Sequence, residues 1–171
     1  MTEICPGCRA ELEAVDGPAH RYIGASPACW DIYARLLAGE PPMGGASLYP
    51  LLVDAYAAQH PGDDSPQATQ SVAVHLVVLE AVLGHGMSLD KAVPIRVATV
   101  EMGRRGHRYP KLEPVPHSWD LTLADIVHEE TEAERAAAGD RYVRSVWQTW
   151  KGSHGPLIED WHRTASRQLD R

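Results

Sequence analysis

The chain has 171 residues and a formal net charge of −7, with 44% hydrophobic and 23% charged residues. That length suffices for one solid hydrophobic core, and the acidic balance excludes general nucleic-acid binding, which needs a basic face. No apolar run approaches the ~20 residues of a membrane span.

The start, MTEICPGC, lacks the basic segment and apolar run of a secretory signal. The expected location is therefore the cytoplasm, where thiols stay reduced. All three cysteines, Cys5, Cys8 and Cys29, fall within residues 1–30, with His20 between them. An odd number of thiols in a reducing compartment argues against a disulfide framework.

Cys5-Pro-Gly-Cys8 predicts a tight turn that brings two sulfurs to one point. Two thiolates so placed attract Zn²⁺, which takes a tetrahedral set of sulfur and nitrogen donors. Ser26-Pro27 reads as the N-cap and first residue of a helix. Cys29 then lies in its first turn, where the positive helix end favours thiolate. His20 is the expected fourth ligand and His60 the alternative, since His60 ends a later helix at a chain turn. The expected cofactor is Zn²⁺, a thiolate-rich set leaning to zinc over iron.

The helix from Pro27 runs through CWDIYARLLAGE, with Ile32, Tyr33, Leu36 and Leu37 on its apolar side, and stops at Gly39 and Pro41-Pro42. Ser47 can cap a second helix, LYPLLVDAYAAQH, with Pro50 in the tolerated first turn. Ser65-Pro66 repeats the cap-plus-proline start. The third helix carries Val72, Leu76, Leu79 and Leu83 as an apolar stripe and ends at Gly84. The short HPGDDSP break predicts that helices two and three form an antiparallel hairpin. At ~1.5 Å rise per residue, His75 then lies ~15 Å from His60 but near Asp54. An Asp54–His75 pair between the helices reads first as a core hydrogen bond. Its catalytic alternative is an Asp-oriented general base.

Ser88 caps a fourth segment, LDKAVPIRVATVEMG, which Pro94 should split or kink. The basic stretch Arg104, Arg105, His107, Arg108 and Lys111 leads into a proline-rich irregular loop to residue 119. It reads as solvated. Thr122 caps a short helix, LADIVHEE. From about Thr131 two further helices follow, ERAAAGDRYVRSVWQTW and GPLIEDWHRTASRQL, joined near KGSHGP. Val143, Val146, Trp147 and Trp150 follow helical spacing, and Ile158 and Trp161 extend the trend. With no Phe in the chain, tryptophan fills the aromatic role in the core. Its functional alternative is an aromatic wall flanked by His154 and His162. A short strand is expected only around HRYIG.

The motifs CPGC, HRYIGASPACW, VDAYAAQHPG and QSVAVHL, with a final VWQTW and IEDWH, resemble a bacterial family known only as a domain of unknown function. The resemblance covers most of the chain. It implies a soluble bacterial protein and carries no assigned reaction.

The expected fold is all-α: a single helical bundle-like domain, residues 31–171, with a metal-binding cap at 1–30. The expected function is that of a zinc-stapled, non-catalytic binding or regulatory module for a small molecule or a protein. One alternative is a metal-dependent or acid–base enzyme with a pocket between cap and hairpin, using Asp54, His60 and His75. Another is a thiol redox-sensitive regulator.

Overall fold

The computed structural model describes residues 1–44 and 48–170. Its architecture is mainly α-helical, with one two-stranded sheet among the described residues. Strands β1 (Thr2–Ile4) and β2 (Glu11–Glu13) pair antiparallel, Glu3 opposite Leu12, and carry the CPGC turn between them. The sequence shows no period there because each strand is only 3 residues long. The HRYIG stretch supplies a single bridge, Ile23 with Pro61.

Helix α1 (Pro27–Leu37) begins as its sequence demands. The Ser26 hydroxyl accepts from the Cys29 N–H at 3.3 Å, and Glu3 of β1 accepts from the Ala28 N–H at 3.0 Å. Two orphan donors are thereby satisfied, one of them by the hairpin. Tyr33 and Leu36 are buried, Ile32 is half-buried and Leu37 is exposed. Gly39, at φ 82°, ends the turn in the left-handed region. The expected Ser47 cap lies outside the described residues.

A 3₁₀ turn (Tyr49–Leu51) leads into α2 (Leu52–Gln59). Helix α3 (Pro66–Leu79) starts on the Ser65 cap and buries Val72, Leu76 and Leu79. It continues into a π turn (Glu80–Gly84), after which His85 bonds back to Glu80. With that turn it is long and apolar enough to cross a membrane. More than half of its most apolar window is nevertheless buried in the protein. Helices α2 and α3 pack side by side as the short break required.

Helix α4 (Leu89–Arg104) runs unbroken through Pro94. Pro94 and Asp90, four residues back, are both exposed, so the carbonyl that loses its N–H partner belongs to a residue on the solvent side of the helix. At its end and beyond it, Arg104, Arg105, His107, Arg108 and Lys111 are all exposed, as expected of a solvated basic stretch. Tyr109 and Leu112 in the same loop are buried, and the Tyr109 hydroxyl donates to the Thr99 carbonyl at 2.9 Å.

Helices α5 (Leu123–Val127) and α6 (Glu132–Leu169) both open with capping boxes, Thr122 with Asp125 and Thr131 with Glu134. Within α6 the chain breaks helical geometry at His154, two residues before Pro156. The expected pair of helices is thus present, the two joined end to end through this kink within residues 151–156. His154 Nε2–H donates to the Pro114 carbonyl at 3.0 Å and ties the bend to the loop. The tryptophan stripe is core: Val143, Val146, Trp150 and Ile158 are fully buried, and Trp150 Nε1–H donates to the Ala58 carbonyl at 2.9 Å. One contiguous apolar cluster joins these residues to α3, α4 and the cysteines.

Two expectations follow. Trp150→Ala should cost about 3–5 kcal/mol, read as a lower urea midpoint. Burial pushes the Tyr109 phenol up to about 12 from its ordinary 10.0. A folded pKa above the unfolded one means that its contribution is whole below pH 10 and lost as pH rises towards 12. Tyr109→Phe should flatten the fall in stability across that window, measured by denaturant titration at successive pH values.

Candidate metal centre

The CPGC turn folds back on itself through two backbone bonds, Arg9 N–H to the Cys5 carbonyl at 3.0 Å and Cys5 N–H to the Ala10 carbonyl at 2.9 Å. Arg9 takes the left-handed conformation, φ 66°, which closes the turn. Cys29 approaches from the first turn of α1. The fourth group is His60, the C-cap of α2. One ligand atom from each of Cys5, Cys8, Cys29 and His60 lies within 4.8 Å of all the others, and all four residues are buried.

The spacings suit a metal. Cys8 Sγ and Cys29 Sγ are 3.8 Å apart, and Cys29 Sγ is 3.2 Å from His60 Nε2. A zinc tetrahedron with Zn–S of ~2.3 Å and Zn–N of ~2.05 Å has edges of roughly 3.8 Å between sulfurs and 3.5 Å between sulfur and nitrogen. A disulfide would need ~2.05 Å; the three thiols are free.

The surroundings orient the donors. His60 Nδ1 lies 2.7 Å from the Tyr56 carbonyl. That contact requires the proton on Nδ1 and leaves the Nε2 lone pair facing the sulfurs, the usual support of a metal-binding histidine. Tyr56 stacks on Tyr33 with centroids 4.0 Å apart, and its hydroxyl points at Cys29 Sγ from 3.7 Å. A Cβ on Gly7 would sit 2.6 Å from His60 Cδ2, so only glycine lets the turn close against the ring. Trp119 Nε1–H donates to the Gly7 carbonyl at 3.1 Å and pins the turn from the other side.

The thiols shift one another's ionisation. Hydrogen bonds from Cys29 and then Cys8 hold Cys5 well below its ordinary 9.0. Cys29 offers Cys8 a hydrogen bond that lowers it, yet contact with Cys5 and burial prevail and push it up to about 12. Contact with Cys5 and Cys8, then burial, drives Cys29 upward as well. Mutual contact and burial thus work against the thiolates of Cys8 and Cys29. A dication would supply the charge that allows all three.

The geometry departs from the expected ligand set at one residue. His20 is not in the group. Its ring packs edge-on to Tyr22 at 4.4 Å and against Trp30 at 4.9 Å. The physical reason lies in the Ile23–Pro61 bridge and the Gly24 N–H bond to the His60 carbonyl at 3.0 Å. These lay the segment that leads into α1 along the end of α2 and bring His60, not His20, to the sulfurs.

Asp54 and His75 do pair across the α2–α3 hairpin, His75 Nδ1 to Asp54 Oδ1 at 2.8 Å. Arg96 of α4, 42 positions from Asp54, adds Nη2 contacts of 2.8 and 2.7 Å to the same carboxylate; no local spacing in the sequence announces it. The carboxylate is completely buried, so it needs both partners. His60 and His75 do not share a pocket: one faces the sulfurs, the other a cleft lined by Tyr22, Gln67, Gln70, Ser71 and Arg104.

The chain belongs to a family of unknown function, DUF5946, whose model matches residues 3–151. That span includes all four clustered residues and the Asp54–His75 pair. Comparison with curated proteins and with solved structures finds no match.

Asp54→Ala should cost about 1.5–3 kcal/mol by removing the carboxylate that His75 and Arg96 share, since the guanidinium left behind is partly exposed. Chemical denaturation at neutral pH reads this, and the cysteine cluster should be unaffected.

Proposed function

We propose that Cys5, Cys8, Cys29 and His60 hold a structural Zn²⁺ ion, and that the protein is a non-catalytic binding or regulatory module stapled by it. The observation that carries this is the buried quartet of one nitrogen and three sulfur donors, each with a ligand atom within 4.8 Å of all the others. Four protein donors with no exposed position make a closed site, the form of structural rather than catalytic zinc. The ion joins three separate pieces of chain: the hairpin turn, the start of α1 and the end of α2. Ion binding in small zinc domains can contribute on the order of 10 kcal/mol, more than the few apolar side chains of residues 1–24 can supply.

The staple also builds a surface. Pro6, Gly7 and Arg9 of the turn line a cleft of about 480 Å³ together with Lys111, Pro116 and His117. With the turn held by metal, this polar, cation-bearing cleft becomes a fixed feature to which an acidic small molecule or peptide can bind. The redox alternative is less well supported because the thiols are 0–3% exposed, and reactive sensor thiols need access.

The test is metal exchange followed by spectroscopy. Co²⁺ added to metal-free protein should give an intense thiolate-to-metal absorption in the wild type and in His20→Ala. Cys5→Ser should lose it, and His60→Ala should weaken and shift it. Chelation should lower the melting temperature of the wild type. Absence of the thiolate band from the wild type would overturn the assignment.

A further inference from the structure

The molecule holds a second cluster of metal-ligand type, at the far end of the helical body. His85, Glu159 and His162 each place one ligand atom within 4.8 Å of the others. We propose that these three residues bind a second divalent first-row transition ion, at an open site with Glu80 as its supporting carboxylate.

The argument starts from the backbone. The π turn at Glu80–Gly84 adds a residue to the helical repeat, so that the His85 N–H reaches the Glu80 carbonyl at 3.0 Å. Such turns are rare and recur at functional sites. Here the wide turn puts the side chains of Glu80 and His85 on the same side, with His85 Nε2 3.8 Å from Glu80 Oε1. Across from them, Glu159 and His162 form a Glu-x-x-His pair on α6, one helical turn apart, the spacing by which helix bundles present carboxylate and imidazole to one ion. His85 Nε2 and Glu159 Oε2 are 2.8 Å apart, and the two imidazoles stack with centroids 4.3 Å apart.

An independent observation points to a missing ligand. His162 is 92% buried, at 8% exposure, and its Nε2 has no hydrogen-bond partner. A buried imidazole nitrogen left unpaired is costly. A second imidazole stacked beside it cannot relieve it, whereas a cation would. The surroundings also look built. Glu80 is 2% exposed and accepts from Trp147 Nε1 at 2.8 Å and Lys151 Nζ at 3.0 Å. These donors fix it beside the histidines, and Lys151 offsets its charge, which suits a supporting role more than direct ligation. A Cβ at Gly84 would lie 2.3 Å from Glu80 Oε1, so the glycine makes room for that carboxylate.

The donor set decides the ion class. Two imidazoles and one carboxylate, without sulfur, suit Zn²⁺, Fe²⁺ or Co²⁺ rather than Ca²⁺ or Mg²⁺. Three protein donors, two of them 38% exposed in their side chains, leave positions for water or a small anion. This is the reverse of the closed sulfur site. Glu159 and His162 lie beyond the family match, which ends at residue 151.

The test uses full-length, metal-free protein titrated with Co²⁺ and, in parallel, analysed for zinc after dialysis. The wild type should take up two equivalents, one with the thiolate band and one with only weak d–d absorption. His85→Ala and Glu159→Gln should each lose the second equivalent while keeping the thiolate band, which also shows that they fold. His162→Gln should do the same, and Glu80→Gln should weaken the second site about tenfold. If the wild type shows no sulfur-free equivalent, or if it persists with unchanged affinity in both His85→Ala and Glu159→Gln, the proposal fails. Neither result bears on the sulfur site, which is read by its own band.

Discussion

The contact between His60 and the CPGC turn is the joint on which the N-terminal third of the molecule rests. It holds a short hairpin with few apolar residues against a helical body. The imidazole caps the end of α2, its Nδ1 is anchored to the preceding turn of the same helix, and its other face meets three sulfurs and a glycine that has no side chain to obstruct it. Cys5, Cys8 and Cys29 are accordingly continuous with the main apolar cluster. The hairpin also reaches α1 through Glu3 and the loop before α5 through Trp119. Each of these bonds is modest alone, and each depends on the turn being held where it is.

The two clusters of ligand-type residues differ in ways that physical chemistry makes consequential. The sulfur-rich one is sealed, lies on three separate segments and is rigidly supported by aromatic stacking. The nitrogen and oxygen one is half-open, built from a distorted helix turn and a helix bend's far side, and contains a buried nitrogen without a partner. The first arrangement suits holding a chain together, the second suits exchange with solvent. Between them stands the Asp54–His75–Arg96 group, whose fully buried carboxylate is matched by a guanidinium and an imidazole, and which ties α2, α3 and α4 into one packed unit.

Much of the fold was legible because local rules happened to agree with the global packing. Ser26-Pro27, Ser65-Pro66 and Thr131 all start helices where cap chemistry says they should, and Gly39 ends one. The Asp54–His75 pair followed from rise per residue and an antiparallel hairpin alone. Pro94 misled because a proline on an exposed face can be carried inside a helix, and Pro94 and Asp90 are both exposed. The β1–β2 hairpin was invisible because strands of three residues carry no period. The basic side chains from Arg104 to Lys111 are exposed as their charge requires, whereas nothing local shows that Tyr109 and Leu112 among them are buried.

The sequence by itself determined the helical class, most helix starts, and that Cys5 and Cys8 share one turn with Cys29 in a helix's first turn, because these depend on neighbours within a few positions. Only the tertiary structure decided that His60 and not His20 joins the thiols, that Arg96 completes the Asp54 pair, and that Glu80, His85, Glu159 and His162 meet at all. Those encounters join residues tens of positions apart. They are set by how helices pack and where one π turn shifts the register, and no spacing along the chain encodes that.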